Sequence, residues 1–92
     1  MNNKPDSARL ENAGAGTRAV WAGEQVRHPY NATQTPIVVS AAYGYDDIDV
    51  WYDVALGKAP GFIYSRMSNP TVETLEAKIR ELENAESAVA FS

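Results

Sequence analysis

A tyrosine and an arginine stand two residues apart in the segment G-F-I-Y-S-R-M-S-N-P-T, at Tyr64 and Arg66. In an extended backbone, side chains two residues apart project on the same side, so both groups can converge on one anion. Arginine offers a planar fork of N–H donors that matches a phosphate or a carboxylate, and the phenol adds one O–H donor. The pair therefore predicts an anion site. The alternative is an ordinary surface pair in which Arg66 binds a neighbouring carboxylate.

The other polar side chains do not predict a second site. His28 is the only histidine and has no serine, cysteine or metal-ligand companion at a useful spacing, so we interpret it as a loop residue. Aspartates at positions 46, 47, 49 and 53 lack the D-x-D-x-D-G pattern and the terminal glutamate of a calcium loop. We expect a solvated acidic loop there, and no metal site.

The composition of the chain excludes several classes of protein. It has 92 residues, a formal net charge of -4 and no cysteine, which removes disulfides, thiolate zinc sites and cysteine nucleophiles. An acidic balance argues against nucleic-acid binding, which usually needs a basic surface. No stretch approaches the ~20 apolar residues that cross a bilayer, and the polar N-terminus lacks the apolar core of a signal peptide. We therefore expect a cytoplasmic protein that binds neither nucleic acid nor membrane.

The clearest local pattern follows the tyrosine and arginine. Asn69 is a good N-cap, Pro70 suits the first helical position, and Asn84 is a reasonable stop. Apolar residues then recur at spacings of three and four, which places them on one face of a helix. We expect this stripe to pack in a core, with a short coiled coil as the alternative. The stripe consists of Val72, Leu75, Ile79 and Leu82. The apolar run at residues 87–91 predicts a buried strand.

The upstream residues have a weaker pattern. Residues 1–16 are interpreted as a flexible lead-in, and Thr17 as the N-cap of a short helix over residues 18–22 that stops at Gly23. Loops are expected at residues 24–34 and 57–61, with a brief β-favouring run between them at residues 37–39. One good helix and one buried strand need neighbours, so the chain is interpreted as the beginning of a larger fold.

The run YSRMSNPTVETLEAKIRELENAESAVAFS resembles the N-terminal part of the Cys/Met-metabolism enzymes that depend on pyridoxal 5′-phosphate (PLP). This family includes the cystathionine γ-synthase, O-acetylhomoserine sulfhydrylase and methionine γ-lyase group. T-R-A-V-W-A-G-E-Q at residues 17–25 is similar to the family's T-x-x-V-H-A-G-E-Q opening, and T-P-I at residues 35–37 to its P-P-I segment. The likeness covers residues 17–92, which is only the first part of a family member.

The resemblance implies an α/β fold of the aspartate-aminotransferase type, or fold type I. Residues 1–60 would form an extended arm for subunit contacts, and residues 61–92 the first helix and strand of the PLP-binding domain. It also implies homotetramers built as dimers of dimers, a small amino-acid substrate, and γ-replacement or γ-elimination in transsulfuration, which are transferase and lyase reactions. Tyr64 and Arg66 match the positions that bind the cofactor phosphate of the neighbouring subunit. Tyr64 would also lie near the departing γ-substituent, which makes it a candidate catalytic residue.

Other positions depart from the family pattern. Trp21 stands where the family usually has histidine, Met67-Ser68 replaces a commoner Thr-Gly pair, and the insert at residues 46–58 is longer than in many members. The Schiff-base lysine that PLP chemistry requires has no counterpart, since Lys4 falls in the lead-in, Lys58 in a turn and Lys78 on the polar face of the helix, and none is interpreted as a desolvated nucleophile. We expect this chain to be inactive by itself. The alternative is a non-catalytic interaction module, or a degenerate fragment, that uses the helix at residues 69–84. The substrate stays open.

Overall fold

The computed structural model describes residues 10–92, and these form short helices joined by irregular segments. The helices that lie wholly within this range are α1 (Ala15–Trp21), a 3₁₀-helix (Pro29–Asn31), α2 (Ile48–Ala55) and α3 (Pro70–Glu83). The chain divides into two compact units. One contains the described residues up to Ile37 together with Thr71–Ser92, and the other is Val38–Pro70. Most of the predicted lead-in, residues 1–9, lies outside the described residues.

Helix α1 begins two residues before the predicted cap. It starts at Ala15 after Gly14, and Gly14 supplies no side-chain hydrogen bond, so the expected cap at Thr17 is wrong. The predicted stop is confirmed, because Gly23 follows the helix with a φ of +78°. A Cβ at Gly23 would lie 3.0 Å from the Cβ of Ala77 and 3.1 Å from the carbonyl oxygen of Thr74. Glycine therefore permits both the left-handed turn and the close approach of this segment to α3.

Helix α3 has the predicted ends. Pro70 is its first residue, and Asn84 follows its last residue with a φ of +53°, a conformation that asparagine adopts more readily than most residues. The guanidinium of Arg18 donates to the carbonyl oxygen of Glu81, to the carboxylate of Glu81 at 3.2 Å and to Asn84 Oδ1 at 2.9 Å. A cation at this end of a helix satisfies free carbonyl groups and complements the helix dipole.

The apolar stripe of α3 is not buried by the described residues. Its four side chains are 40% to 52% exposed, and α3 contains no buried residue. The expected core packing of the stripe is therefore absent from residues 10–92. The buried apolar residues in this range are Leu10 and Ala22 in the first unit and Val54 in the second.

The predicted acidic loop is wrong, because residues 48–55 form α2. Asp47 is its N-cap and accepts a hydrogen bond from the backbone N–H of Asp49 at 2.8 Å. Aspartates at a cap and in a first turn stabilise a helix start by satisfying free N–H groups and by favourable interaction with the helix dipole. Val54 is buried on this helix. The aspartates that suggested a solvated loop therefore help to begin a helix.

The predicted strand at residues 87–91 does not form in the described part of the chain. Residues 85–92 contain no regular strand, and Val89 and Phe91 are 76% and 90% exposed. The backbone N–H of Ala90 donates to the Glu76 carboxylate at 2.8 Å instead of to a neighbouring strand. A buried parallel strand requires strands on both sides, and residues 10–92 supply none.

Residues 37–39 likewise form no strand. The one bridge among residues 10–92 is antiparallel and joins Ala42 to Tyr64. The predicted arm, as far as it is described, contains α1, the 3₁₀-helix and α2, so it is not extended along its whole length. Its role in subunit contacts, and the division of the chain at residue 60, stay predictions.

Candidate anion-binding site

Tyr64 and Arg66 lie together on a turn within the unit Val38–Pro70. Residues 65–67 form the turn, and the backbone N–H groups of Met67 and Ser68 donate to the carbonyl oxygen of Tyr64 at 2.9 and 3.2 Å. The extended backbone expected from the sequence at Tyr64 and Arg66 is therefore wrong. The turn brings the two side chains together by a different route: Arg66 Cζ lies 5.5 Å from the centroid of the Tyr64 ring. That distance is within the range of a cation–π interaction.

Both side chains retain their polar donors for a ligand. Tyr64 is 43% exposed and Arg66 is also exposed. Within residues 10–92, Arg66 forms no ion pair and the Tyr64 hydroxyl forms no hydrogen bond. The alternative interpretation of Arg66, as half of a surface ion pair, is therefore not realised in this part of the chain. A planar cation and a phenol on one turn form a donor set that suits a phosphate.

The turn is fixed by a buried asparagine. Asn69 is 8% exposed, and its side-chain Nδ2 donates to the carbonyl oxygen of Val38 at 3.0 Å. The same nitrogen lies 3.3 Å from Tyr43 Oη and 3.2 Å from Ser65 Oγ. Through these contacts Asn69, the residue before α3, is connected to Ser65 in the turn and to Val38 and Tyr43 in the segment before α2.

A second set of contacts ties Ser65 to the same segment. Its backbone N–H donates to the carbonyl oxygen of Ala41 at 2.8 Å, and its hydroxyl donates to the carbonyl oxygen of Ser40. Ser65 Oγ is also 3.0 Å from Tyr43 Oη. Since Ser65 stands between Tyr64 and Arg66, restraint of its backbone and side chain restrains both neighbours.

The start of the loop is held by Tyr45. Its hydroxyl donates to the carbonyl oxygen of Phe62 at 2.7 Å and accepts from the N–H of Phe62 at 3.1 Å. Nearby, the rings of Tyr43 and Phe62 lie 5.6 Å apart and are tilted by 42°. The sequence did not predict this role of Tyr43, Tyr45 and Phe62 in the loop. The alternation of the two tyrosines with the small residues Ala42 and Gly44 was the available signal.

The unit that contains α1 and α3 carries a different polar cluster. The carboxylate of Glu24, 4% exposed, accepts from the backbone N–H of Thr35 at 2.6 Å and from its hydroxyl at 2.8 Å. His28 Nε2 lies 3.1 Å from the same carboxylate, and Lys78 Nζ lies 3.2 Å from its other oxygen. A carboxylate can only accept, so His28 is the donor in this contact. The hydroxyl of Thr74 lies 2.6 Å from that of Thr35 and extends the network to α3.

This cluster changes the interpretation of two residues. His28 belongs to a loop, as predicted, but its side chain is buried at 7% exposure and bonded to Glu24. Lys78, which the sequence places on the polar face of the helix, donates to the carbonyl oxygens of Val20 and Ala22 at 2.8 and 2.9 Å. Glu24 was not predicted as part of a cluster, although its position four residues before the single histidine is a detectable signal.

The pKa of Glu24 reflects two opposing causes. Burial raises it, because a charged carboxylate is poorly solvated there. The hydrogen bonds from Thr35, His28 and Lys78 stabilise the charged form and outweigh burial, so the pKa of Glu24 is lowered from its ordinary value. Glu24 therefore acts as a charged structural anchor between the A-G-E-Q segment, the T-P segment and α3.

Neither a metal centre nor a membrane-spanning helix is found in the described range. Among residues 10–92, no three histidine, aspartate or glutamate side chains form a group that could hold a metal ion. No helix in the same range is long and apolar enough to cross a membrane.

Comparison with known proteins identifies the family. The sequence model of the Cys/Met metabolism PLP-dependent enzymes matches residues 16–92. The chain therefore belongs to this PLP-dependent family, which confirms the resemblance and the cofactor class. The family is consistent with fold type I, while the described residues form a short helical structure with a single bridge.

Individual relatives indicate sulfur amino-acid metabolism. The chain is 37% identical over 89 residues to O-acetyl-L-homoserine sulfhydrylase of Corynebacterium glutamicum, covering 97% of this chain and 20% of that protein. It is 32% identical over 82 residues to an L-methionine gamma-lyase of Pseudomonas deceptionensis, covering 89% and 21%. It is 38% identical over 81 residues to O-succinylhomoserine sulfhydrylase of Pseudomonas aeruginosa, covering 88% and 20%. The chain thus spans about a fifth of the length of these relatives.

Proposed function

We propose that this chain is the N-terminal portion of a PLP-dependent γ-replacement or γ-elimination enzyme of transsulfuration. In this proposal Tyr64 and Arg66 bind the PLP phosphate of a neighbouring subunit. The observation that carries it is the pairing of Arg66 with Tyr64 on a restrained turn, with the polar donors of both side chains unused within residues 10–92. Family membership supplies the identity of the anion.

The donor set fits the phosphate of PLP. Arg66 supplies a planar, permanently charged fork that matches phosphate oxygens, and Tyr64 supplies a single O–H donor. A guanidinium about 4 Å from a phosphate charge gains roughly 4 kcal/mol at an effective dielectric constant of about 20. The ring of Tyr64 under the guanidinium restricts the orientation of Arg66, which lowers the entropy lost on binding.

The residues of this chain contribute binding and orientation. When bound, PLP supplies an aldehyde and an electron-withdrawing ring for chemistry at the α-carbon of an amino acid. Arg66 would neutralise the phosphate and fix its position. Tyr64 would donate a hydrogen bond to it and, near the substrate, contribute to departure of the γ-group. The finer parts of the proposal are a homotetramer, a cytoplasmic location, an arm at residues 1–60 and the start of a cofactor domain at residues 61–92.

The direct test uses a chimera in which these 92 residues replace the matched fifth of the C. glutamicum relative. We expect Arg66→Lys and Tyr64→Phe to weaken PLP binding, Arg66→Lys by roughly tenfold or more, because a bidentate contact becomes a single one. PLP absorbance titration of the apo-protein measures the affinity. The matched controls are Arg27→Lys and Tyr30→Phe, since Arg27 and Tyr30 are both exposed. Equal affinity of the test and control variants would contradict the proposal.

Subunit complementation tests the binding in trans. One chimera carries Arg66→Ala, and a second lacks the Schiff-base lysine of the relative's portion. If the phosphate is bound by the neighbouring subunit, mixed dimers contain one site with both intact parts and regain activity. Absence of activity in purified mixed dimers would show that the two parts act within one subunit.

The exposed stripe of α3 favours a second candidate, a non-catalytic interaction module. In that case the chimera would bind PLP no better with Tyr64 and Arg66 intact than without them. The same titration therefore separates the two functions.

A further inference from the structure

We propose that Asn69 is a positioning residue for the phosphate site, acting with Ser65 and Tyr43 to fix the turn that presents Tyr64 and Arg66. This inference rests on the proposed function, because it assigns no ligand of its own. None of the three residues is proposed to touch the phosphate. Their role is to hold the two residues that do.

The geometry places Asn69 at the centre of the contacts that fix the turn. Its side chain is buried, and Nδ2 donates to the carbonyl oxygen of Val38, which is 31 positions away in the chain. The same nitrogen reaches Tyr43 Oη at 3.3 Å and Ser65 Oγ at 3.2 Å. One side chain therefore links the residue before α3, the turn and a distant segment.

Ser65 connects this fixed segment to the two binding residues, Tyr64 and Arg66. It lies between Tyr64 and Arg66, and both its backbone N–H and its hydroxyl are bonded to the segment of residues 40–43. A turn that is fixed before the ligand arrives loses little conformational entropy on binding, which increases affinity. If the turn loosens, Arg66 and Tyr64 keep their chemistry but lose their fixed mutual position.

Asn69→Asp is the informative substitution. Aspartate has nearly the same size and is an equally good residue at the start of a helix, so α3 keeps a favourable N-terminus. It lacks the two N–H donors of asparagine, and its charge repels the carbonyl oxygen of Val38. The substitution therefore removes the restraint on the turn and retains the helix start.

The experiment compares PLP with pyridoxal, which lacks the phosphate, in the chimera described above. We expect Asn69→Asp to weaken PLP about tenfold, because a loosened turn weakens the hydrogen bonds that Tyr64 and Arg66 donate to the phosphate. Binding of pyridoxal should stay unchanged, because Tyr64 and Arg66 act on the phosphate. Tyr43→Phe removes one hydroxyl and keeps the ring, and should shift the affinity in the same direction by a smaller factor. Asn31→Asp is the control, since Asn31 is exposed and its Oδ1 only accepts from Arg27.

Each outcome supports or overturns the inference. Selective loss of PLP affinity in Asn69→Asp and Tyr43→Phe supports it. Equal loss of PLP and pyridoxal overturns it, because a general structural defect does not depend on the phosphate. If Asn69→Asp does not fold, an unchanged PLP affinity in Tyr43→Phe overturns it. If only Arg66→Lys weakens PLP, the positioning role fails and the proposed function stands; if Arg66→Lys has no effect, the proposed function itself fails.

Discussion

Arg66 and Glu24 use charge in opposite ways. Arg66 is exposed, stacks on Tyr64 and forms no ion pair within residues 10–92, so its charge is free for a ligand. Glu24 is buried, and its carboxylate accepts hydrogen bonds from Thr35 and His28 and forms an ion pair with Lys78. The first arrangement suits binding, and the second suits structure, because a buried charge is stable only when it is paired and hydrogen-bonded.

The pKa of Glu24 leads to a prediction about acid stability. Its folded pKa is lowered, so the unfolded state takes up a proton first as the pH falls. The contribution of Glu24 to stability is therefore present above its ordinary pKa and is lost as the pH falls through the folded value. We expect Glu24→Gln to destabilise the chimera by ~1–3 kcal/mol at neutral pH, because the substitution removes the negative charge and one of the two acceptor oxygens that Thr35, His28 and Lys78 contact. The difference from the wild type should shrink in acid, as measured by urea unfolding.

Glu73 provides a control, because its pKa is shifted in the direction opposite to that of Glu24. Burial and the charge of Glu76 raise the pKa of Glu73, so its charged form destabilises the folded state. Glu73→Gln should therefore be neutral or slightly stabilising at neutral pH, with the difference disappearing in acid. The same pH dependence in both variants would contradict the assignment of Glu24 as a charged anchor.

The loop at residues 61–69 is the element that defines the candidate site. Gly61 begins it with a φ of +153°, a conformation that other residues rarely adopt. A Cβ there would lie 2.6 Å from Tyr45 Oη and 3.1 Å from both methyl groups of Val54. Glycine is therefore required both by the backbone conformation and by the space that Tyr45 and Val54 occupy.

Gly61→Ala should displace Tyr45 from its two hydrogen bonds to Phe62 and loosen the loop. We expect a loss of stability of ~1–3 kcal/mol, typical of added volume in a packed place, together with weaker PLP binding. Gly44→Ala is the control, because a Cβ at Gly44 meets nothing within 4 Å. Urea unfolding and PLP titration of the chimera measure both effects. Equal behaviour of the two alanine variants would show that Tyr45 does not hold the loop.

Helix α3 illustrates how far local pattern determines an element. Its start at Pro70 and its end before Asn84 were predictable, because both depend on residues next to each other in the chain. The contacts of Arg18 with its last turn were not predictable, since 63 positions separate Arg18 from Glu81. The strand at residues 87–91 failed for a related reason: its pattern is typical of a strand, but a strand forms only with partners.

At the scale of the whole molecule, the exposed apolar stripe of α3 indicates that this helix packs against a further part of a larger fold. Its four apolar side chains are about half exposed, and the curated relatives extend well beyond the length of this chain. An apolar helix face normally packs against another element. We therefore expect the remainder of a complete subunit to cover this stripe.

Alanine substitution in the chimera tests that expectation. Leu75→Ala should cost ~2–5 kcal/mol if the rest of the subunit buries the side chain, and Ile79→Ala should behave in the same way. Leu56→Ala is the control for an exposed leucine, because Leu56 is 52% exposed in this structure. Urea unfolding measures each difference. If both stripe variants lose less than about 0.5 kcal/mol of unfolding free energy, the stripe is not buried by the rest of the subunit, which favours the interaction module.

The sequence by itself determined the family, the limits of α3 and the identity of the two anion-binding candidates. The family and the two candidates follow from the motif that contains Tyr64 and Arg66, and the limits of α3 follow from neighbouring residue types that local sterics and hydrogen bonding convert directly into structure. The tertiary structure decided that Tyr64 and Arg66 meet on a turn, that Asn69 holds this turn, and that Glu24 is buried among His28, Thr35 and Lys78. The contacts of Asn69 with Val38 and of Glu24 with Lys78 join distant segments, and the turn at Tyr64 and Arg66 is held by such contacts. They form because buried polar groups must find hydrogen-bond partners when they leave water.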